Sequence, residues 1–144
     1  MSYTDIFFAF YMLKSNQLNI YAEGEENMIK EKSFFEADYS NGLLAVRILG
    51  EIDHHSALGM RQGIDGLIRE KRPEKLILDL SSVDFMDSSG LGLILGRYSA
   101  VRQVGGDMVV LNPNKGVMKI LRLAGAERIL RIETVNFENK NKKK

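Results

Sequence analysis

The chain has 144 residues and a net charge of +1, because 20 Lys and Arg stand against 19 Asp and Glu. A single domain is expected at this length, and the near-neutral charge lacks the broad positive surface typical of nucleic-acid-binding proteins. Since there is no cysteine and there are only two histidines, disulfides, Cys-ligated zinc, thiol catalysis and a site of three His ligands are excluded.

Residues 1–32 are predicted to be an N-terminal extension ahead of the regular part of the chain. Its apolar run, Ile6–Leu13, has eight residues, far fewer than the roughly 20 that a membrane helix needs. No basic residue precedes this run, so a signal peptide is also disfavoured. We therefore expect a short helix or a loose arm here, and no membrane association.

The residues before Met28 suggest where translation begins. Gly24-Glu25-Glu26 stands just upstream of this methionine, and the codons common for these residues resemble a bacterial ribosome-binding site. One hypothesis makes Met28 the initiator and residues 1–27 a translated leader, whose deletion should leave stability and partner binding nearly unchanged. The alternative is a genuine N-terminal extension.

From residue 33 onward, the apolar pattern predicts a domain of alternating strands and helices. Asn41-Gly42 lies between two strand-like runs and predicts the turn of a hairpin. Short, nearly all-apolar runs further along are typical of buried parallel strands. Strands are predicted at Phe34–Tyr39, Leu43–Leu49, Leu76–Leu80, Met108–Leu111 and Ile129–Val135, and helices at Ser56–Glu70, Gly90–Val104 and Lys115–Leu123.

This order, β-β-α-β-α-β-α-β, predicts an α/β fold. Helices that follow strands form crossover connections between parallel strands. We expect one domain over residues 33–136, with a mixed sheet of about four to five strands and helices packed beside it. Residues 137–144 are polar and basic, and we expect a disordered tail there.

The segment from Asp84 to Gly92 leaves several functions open. Ser and Asp before a helix are common N-caps, so a purely structural role is one interpretation. A dinucleotide site is another, but Gly90, Gly92 and Gly96 place the third glycine one position late. A third is a phosphorylation switch, because a phosphate at a helix N-terminus meets free N–H groups and the positive end of the helix dipole.

A second motif, Asp53-His54-His55, invites comparison with metal-dependent phosphoesterases. Such sites need several more Asp and His ligands to hold two metal ions, and no further histidine exists in the chain. We instead expect a polar turn at the end of a strand, with Ser56 capping the next helix and both histidines at the surface.

Three stretches of the chain resemble the anti-sigma factor antagonists of the STAS domain class. They are Gly50–Ala57, Asp84–Tyr98 and Gly105–Val110, and the run Met86-Asp87-Ser88-Ser89-Gly90-Leu91-Gly92 is the most specific. The Asp-His-His motif favours the sporulation branch of the class over the general-stress branch. A general-stress antagonist of another sigma system, or a small nucleotide-binding or phosphoester-hydrolysing protein, remains the alternative.

The resemblance implies a cytoplasmic regulator that is not an enzyme and needs no cofactor. In its unphosphorylated form it would bind an anti-sigma factor that is also a serine kinase, and so release the sigma factor. The kinase would then phosphorylate it, and a PP2C-type phosphatase would reverse that step. No direct contact with nucleic acid is implied.

The resemblance also assigns roles to individual residues. The phosphorylated serine maps to Ser88, which leaves Ser89 as the better candidate for the helix cap. Asp87 would orient the hydroxyl of Ser88 or hold the local loop, with a capping role as the alternative, and Asp53 would contact the kinase or cap its own helix.

The predicted second helix has two distinct faces. One face should pack on the sheet and carries Leu91, Ile94, Leu95, Tyr98 and Val101. A second stripe, mostly of small residues, includes Gly92, Gly96 and Ser99. Glycine inside a helix costs about 1 kcal/mol relative to alanine, so these positions suggest a close approach, either by a partner beside Ser88 or by the first helix of the same domain.

Overall fold

A computed structural model of the chain describes residues 34–135. The expectations for the N-terminal extension and for the basic tail therefore fall largely outside the described residues. In chain order the elements are β1 (Phe35–Ser40), β2 (Leu43–Ile48), β3 (Gly50–Ile52), α1 (His54–Lys71), β4 (Lys75–Asp79), β5 (Val83–Met86), α2 (Ser88–Gln103), β6 (Asp107–Leu111), α3 (Lys115–Leu123), a 3-10 turn (Ala126–Arg128) and β7 (Arg131–Glu133).

The main sheet has five strands in the order β1-β2-β4-β6-β7. Among the strands within residues 34–135, only the β1–β2 pair of this sheet is antiparallel, and the other neighbours run parallel. The predicted hairpin is confirmed: Asn41 and Gly42 have φ angles of 49° and 83°, which Asn and Gly tolerate better than other residues. The mixed α/β fold expected from the sequence is therefore the observed one.

The sequence did not predict β3 and β5, which pair in parallel as a separate two-stranded sheet. Both strands are short, and their exposed positions interrupt the apolar pattern: Gly50 and Glu51 are exposed in β3, and Asp84 and Phe85 in β5. Because only Ile52, Val83 and Met86 are buried in these strands, no run of apolar residues marks them in the sequence.

One face of the main sheet carries the large hydrophobic core. The three helices of the described residues contribute to it, with Met60 and Ile64 from α1, Ile94 from α2, and Val117 and Leu121 from α3. Alternate residues of β4, Leu76 and Leu78, point into the same cluster, and Leu80 just after that strand joins them. This packing fixes α1 and α2 against each other and against the carboxyl ends of the short strands.

The opposite face of the sheet has a smaller apolar cluster of its own. Ala45, Ile77, Val109 and Leu111 are each at most 3% exposed, and Leu43 and Val135 pack against them. Arg47 and Asp79 lie on this face too and form an ion pair, with 2.9 Å from Nη2 to Oδ2. Among residues 34–135, every buried apolar side chain that a helix supplies belongs to the large core instead.

The helix boundaries differ from the predictions by one or two residues except for α3, whose bounds agree. The last strand, β7, is shorter than predicted and covers only Arg131–Glu133. Leu130, which was predicted to belong to the strand, is buried in the segment between the 3-10 turn and β7. No helix within residues 34–135 is both long enough and apolar enough to cross a bilayer.

Candidate functional site

The two short parallel strands place the N-termini of α1 and α2 side by side. Ile52 at the end of β3 is in register with Met86 at the end of β5, and the next residue of each chain segment is the N-cap of a helix. The backbone N–H of Asp87 donates to the carbonyl of Ile52 at 3.1 Å. Two helix starts, with their free N–H groups, therefore meet at one edge of the molecule.

Asp53 caps α1 through a reciprocal arrangement with Ser56. Its carboxylate accepts from the backbone N–H of Ser56 at 2.9 Å, and the Ser56 hydroxyl accepts from the backbone N–H of Asp53 at 3.1 Å. The first of these bonds is the main reason that the pKa of the Asp53 carboxyl lies below its ordinary value. The expectation that Ser56 is the cap was wrong: it is the third helical residue of a capping box.

Asp87 caps α2, and this corrects the assignment of Ser89 as the cap. The backbone N–H of Ser89 donates to the Asp87 carboxylate at 2.8 Å, so Ser89 supplies a donor rather than the capping oxygen. Ser88 is the first residue of the helix and its side chain is exposed. The helix start is thus satisfied without the Ser88 hydroxyl.

A groove of about 570 Å³ lies between the first turns of the two helices. From α1 it is lined by His54, His55, Ala57, Leu58 and Arg61, and from α2 by Ser89, Gly92 and Leu93. Of the residues predicted for partner binding, Ser89 and Gly92 line this groove. Asp53 and Asp87 stand at the two helix starts beside it.

Gly96 and Ser99 lie further along α2 and do not line the groove. Ser99 follows Gly92 by seven residues, about 10 Å along the helix axis. A Cβ built on Gly92 or Gly96 meets no atom within 4 Å. Neither glycine is therefore required by close packing against the protein's own first helix, which was one of the two interpretations of this stripe.

The close approaches within the domain involve other glycines, which the sequence analysis did not single out. A Cβ at Gly59 would lie 2.5 Å from the ring of Phe34, and one at Gly63 would lie 2.7 Å from the ring of Phe35. The sequence did contain a signal for this close packing, because the two glycines are four residues apart on α1 and residues four apart share a helix face.

The buried face of α2 is rotated from the predicted one. Ile94 and Val101 are buried as expected, but Leu91, Leu95 and Tyr98 are only partly buried, and Leu93 and Arg97 take interior positions. The Arg97 Nε lies 2.8 Å from Asp65 Oδ1 on α1. Burial lowers the pKa of the Arg97 guanidinium below its ordinary value, and the Asp65 carboxylate opposes that shift. The ion pair connects α2 with α1.

Two exposed hydrophobic side chains near the helix starts were also missed. Leu58 of α1 is 53% exposed, and Phe85 of β5 is 52% exposed. Leu58 departs from the apolar spacing of α1, whose buried residues are Met60, Ile64, Leu67 and Ile68, and that departure was a usable signal. Both side chains offer apolar area to a partner.

The structure bears on the two alternative chemistries as well. Within residues 34–135 no three His, Asp or Glu side chains converge as metal ligands, and His54 and His55 are exposed in the first turn of α1. Gly90, the first glycine of the dinucleotide-like spacing, packs against Met86, since a Cβ there would lie 2.8 Å from Met86 Cβ.

The fold places this chain in a known class of domain. The family model for the STAS domain matches residues 35–139, and the chain belongs to this family.

Within the family, the chain is similar to anti-sigma factor antagonists. It is 41% identical over 97 residues to the anti-sigma F factor antagonist of Paenibacillus polymyxa, a match that covers 67% of this chain and 83% of that protein. The structure of the anti-sigma factor antagonist SpoIIAA in its unphosphorylated form matches with a TM-score of 0.63 and 29% identity, over 74% of this chain and 92% of that one. The phosphorylated form of the Bacillus cell fate determinant SpoIIAA matches with a TM-score of 0.59 and 28% identity, over 74% and 96%.

Proposed function

We propose that this protein is an anti-sigma factor antagonist controlled by phosphorylation of Ser88. In its unphosphorylated form it binds an anti-sigma factor that is also a serine kinase, and the sigma factor is released. Phosphorylation of Ser88 by that kinase ends the complex, and a PP2C-type phosphatase restores the active form. The protein acts in the cytoplasm as a kinase substrate and not as an enzyme.

The observation that carries this proposal is the position of Ser88. It is exposed at the first position of α2, in a chain 41% identical to an anti-sigma F factor antagonist. Because Asp87 already caps the helix, a kinase can modify the hydroxyl without removing a bond that the fold uses. The phosphate adds about −1.5 to −2 charge at the surface.

The surroundings of Ser88 support a protein partner. The groove beside it combines the exposed Leu58 with Arg61 and two histidines, and Phe85 adds a second exposed apolar side chain. Interfaces commonly have an apolar centre with a polar rim. Gly92 and Gly96 leave open space along the adjacent helix, which allows a partner backbone to approach closely. Asp53, Asp87, Ser89 and Ser99 complete this proposed surface.

The test is reconstitution with the cognate kinase and ATP, followed by intact mass and peptide mapping. We expect one phosphate on the unaltered chain and none on Ser88→Ala, while Ser88→Ala still binds the kinase and keeps the sigma factor free. Ser89→Ala is the matched control, because it removes the neighbouring hydroxyl and should still accept the phosphate. A phosphate at full level on Ser88→Ala would overturn the assignment.

A second arm separates this function from nucleotide or phosphoester chemistry. Incubation with ATP alone should leave the protein unmodified and the ATP intact. Phosphate should appear only when the kinase is added. Turnover of ATP by the protein alone would contradict the proposal, and transfer only from a kinase of another sigma system would keep the mechanism but change the partner.

A further inference from the structure

The second face of the main sheet is apolar although no described helix packs on it. Ile77 and Val109 sit on neighbouring strands and are each 1% exposed, and Leu111 is fully buried. Side chains in a sheet stand roughly perpendicular to it, so neighbours on adjacent strands shield their flanks and leave their tips open. Because the ends of these side chains are also buried, a further layer of structure must cover them, about 10 Å above the sheet.

The sequence of the central strands gives the same indication independently. Leu76-Ile77-Leu78 in β4 and Met108-Val109-Val110-Leu111 in β6 are continuous apolar runs. A strand with one solvated face alternates apolar and polar residues, whereas a strand covered on both faces does not. The ion pair of Arg47 and Asp79 on this face also indicates that the face is covered, because the Asp79 side chain is only 1% exposed.

We propose that the apolar segment Ile6–Leu13 of this same chain covers the second face of the sheet. This segment has eight consecutive apolar or aromatic residues, which matches an apolar surface. By contrast, residues 136–144 include four lysines and a single apolar residue, Phe137. These residues therefore lack the composition that this face requires.

The connection has the necessary length and starting point. Twenty residues separate Leu13 from Phe34, and an extended chain spans up to about 3.3 Å per residue. The sheet is about 20 Å wide, because five strands lie about 4.8 Å apart. Since β1 is an edge strand, the chain that precedes it can reach the second face without crossing the helices. The extension is then part of the fold, contrary to the hypothesis that residues 1–27 are a dispensable leader.

Thiol labelling of the full-length chain tests this proposal directly, because the chain has no native cysteine. Ala45→Cys reports on the second face and Ala37→Cys on the helix-covered face, and the two alanines are 3% and 0% exposed. The ratio of their labelling rates, measured well below the melting temperature, cancels global unfolding because that opens both sites equally.

Each reporter is combined with the segment variant Phe7→Asp/Phe8→Asp/Phe10→Asp. We expect this variant to raise the Ala45→Cys rate relative to the Ala37→Cys rate by about tenfold or more. The matched control, Ser15→Asp/Asn16→Asp/Gln17→Asp, adds the same charge nearby and should leave the ratio unchanged.

Two outcomes would overturn the proposal. If the Ala45→Cys thiol reacts rapidly in the chain without segment substitutions, the face is open. If the ratio is the same with both triple variants, another layer covers the face, and protection that disappears on dilution would identify that layer as a second copy of the protein.

Discussion

A negative charge at Ser88 is expected to affect the fold and the proposed interface in opposite directions. A carboxylate near a helix N-terminus stabilises the helix by about 0.3–1 kcal/mol, so Ser88→Asp should leave the melting temperature unchanged or slightly raised. The same charge inside the proposed interface is desolvated and unpaired, which is costly. We expect affinity for the kinase partner to fall by about tenfold or more, equivalent to about 1.4 kcal/mol.

Titration against the kinase in the presence of ADP, together with thermal melts, measures both responses. Because aspartate carries a single charge and fewer oxygens than a phosphate, the loss should be partial. Unchanged binding would place Ser88 outside the interface. A parallel fall of affinity and melting temperature would show that Ser88 has a structural role.

The pKa of Asp53 gives a pH dependence at the same scale. In the folded state this pKa lies below its ordinary value of 3.8, so ionised Asp53 stabilises the fold above pH 3.8. That contribution is lost as the pH falls from 3.8 through the lower folded pKa. The stability difference between the unaltered chain and Asp53→Asn should therefore be constant from neutral pH to about 5, one unit above the ordinary pKa, and change as the pH falls further.

Thermal melts of both proteins across this range check the prediction, since the other carboxyl groups titrate in both and cancel in the difference. A difference that already changes between neutral pH and about 5 would mean that Asp53 has a raised pKa, and the Ser56 hydrogen bond would not control it.

At the scale of the elements, the glycines of α1 and α2 should respond oppositely to the same substitution. Gly92→Ala and Gly96→Ala place a Cβ in open space, so each should stabilise the domain, by up to about 1 kcal/mol. Gly63→Ala brings a Cβ to 2.7 Å from the Phe35 ring and should destabilise it.

Chemical denaturation measures these stabilities, and titration with the kinase measures binding. In the stabilised Gly92→Ala variant we expect weaker binding, because a methyl group then stands in the groove that the partner is proposed to enter. If Gly92→Ala binds with unchanged affinity, Gly92 does not lie in the interface. The stability that glycine costs the helix at this position would then have no explanation.

The contact between α1 and α2 gives another prediction at this scale. Asp65→Ala leaves the Arg97 guanidinium, 6% exposed, without its counter-charge. Breaking a buried pair in this way costs about 3–5 kcal/mol, and we expect the lower end because Asp65 is 26% exposed. The double variant Asp65→Leu/Arg97→Met should recover most of the loss in urea denaturation, and failure to do so would show that the charges themselves specify the helix contact.

At the scale of the whole molecule, the sequence predicts the main sheet well, because strong local signals mark it. Asn41-Gly42 marks the hairpin and the apolar runs mark β4 and β6. The short strands β3 and β5 lack such signals, since each depends on the other for its hydrogen bonds. The same limit applies to the site: Asp53 and Asp87 were recognised as possible caps, but only their pairing in space brings the two helix starts together.

The buried face of α2 illustrates why the remaining details need the structure. A period of 3.6 residues identified the helix, but Arg97 is buried only because Asp65 lies opposite it on another element. Hydrophobicity alone therefore assigns Leu91, Leu95 and Tyr98 to the interior in its place. An interaction between residues 32 apart along the chain leaves no local pattern.

The capping of α2 by Asp87 rather than by a serine has a consequence for the amounts of protein in the cell. Because Asp87 supplies the capping oxygen of α2, the proposed phosphorylation of Ser88 should leave the stability of the fold unchanged, and the modified molecule would remain available for reuse. Reactivation then requires only hydrolysis of one ester, with no new synthesis. Under the proposed function, the active fraction would be set by the ratio of the kinase and phosphatase rates, so it could change quickly while the total amount stays constant.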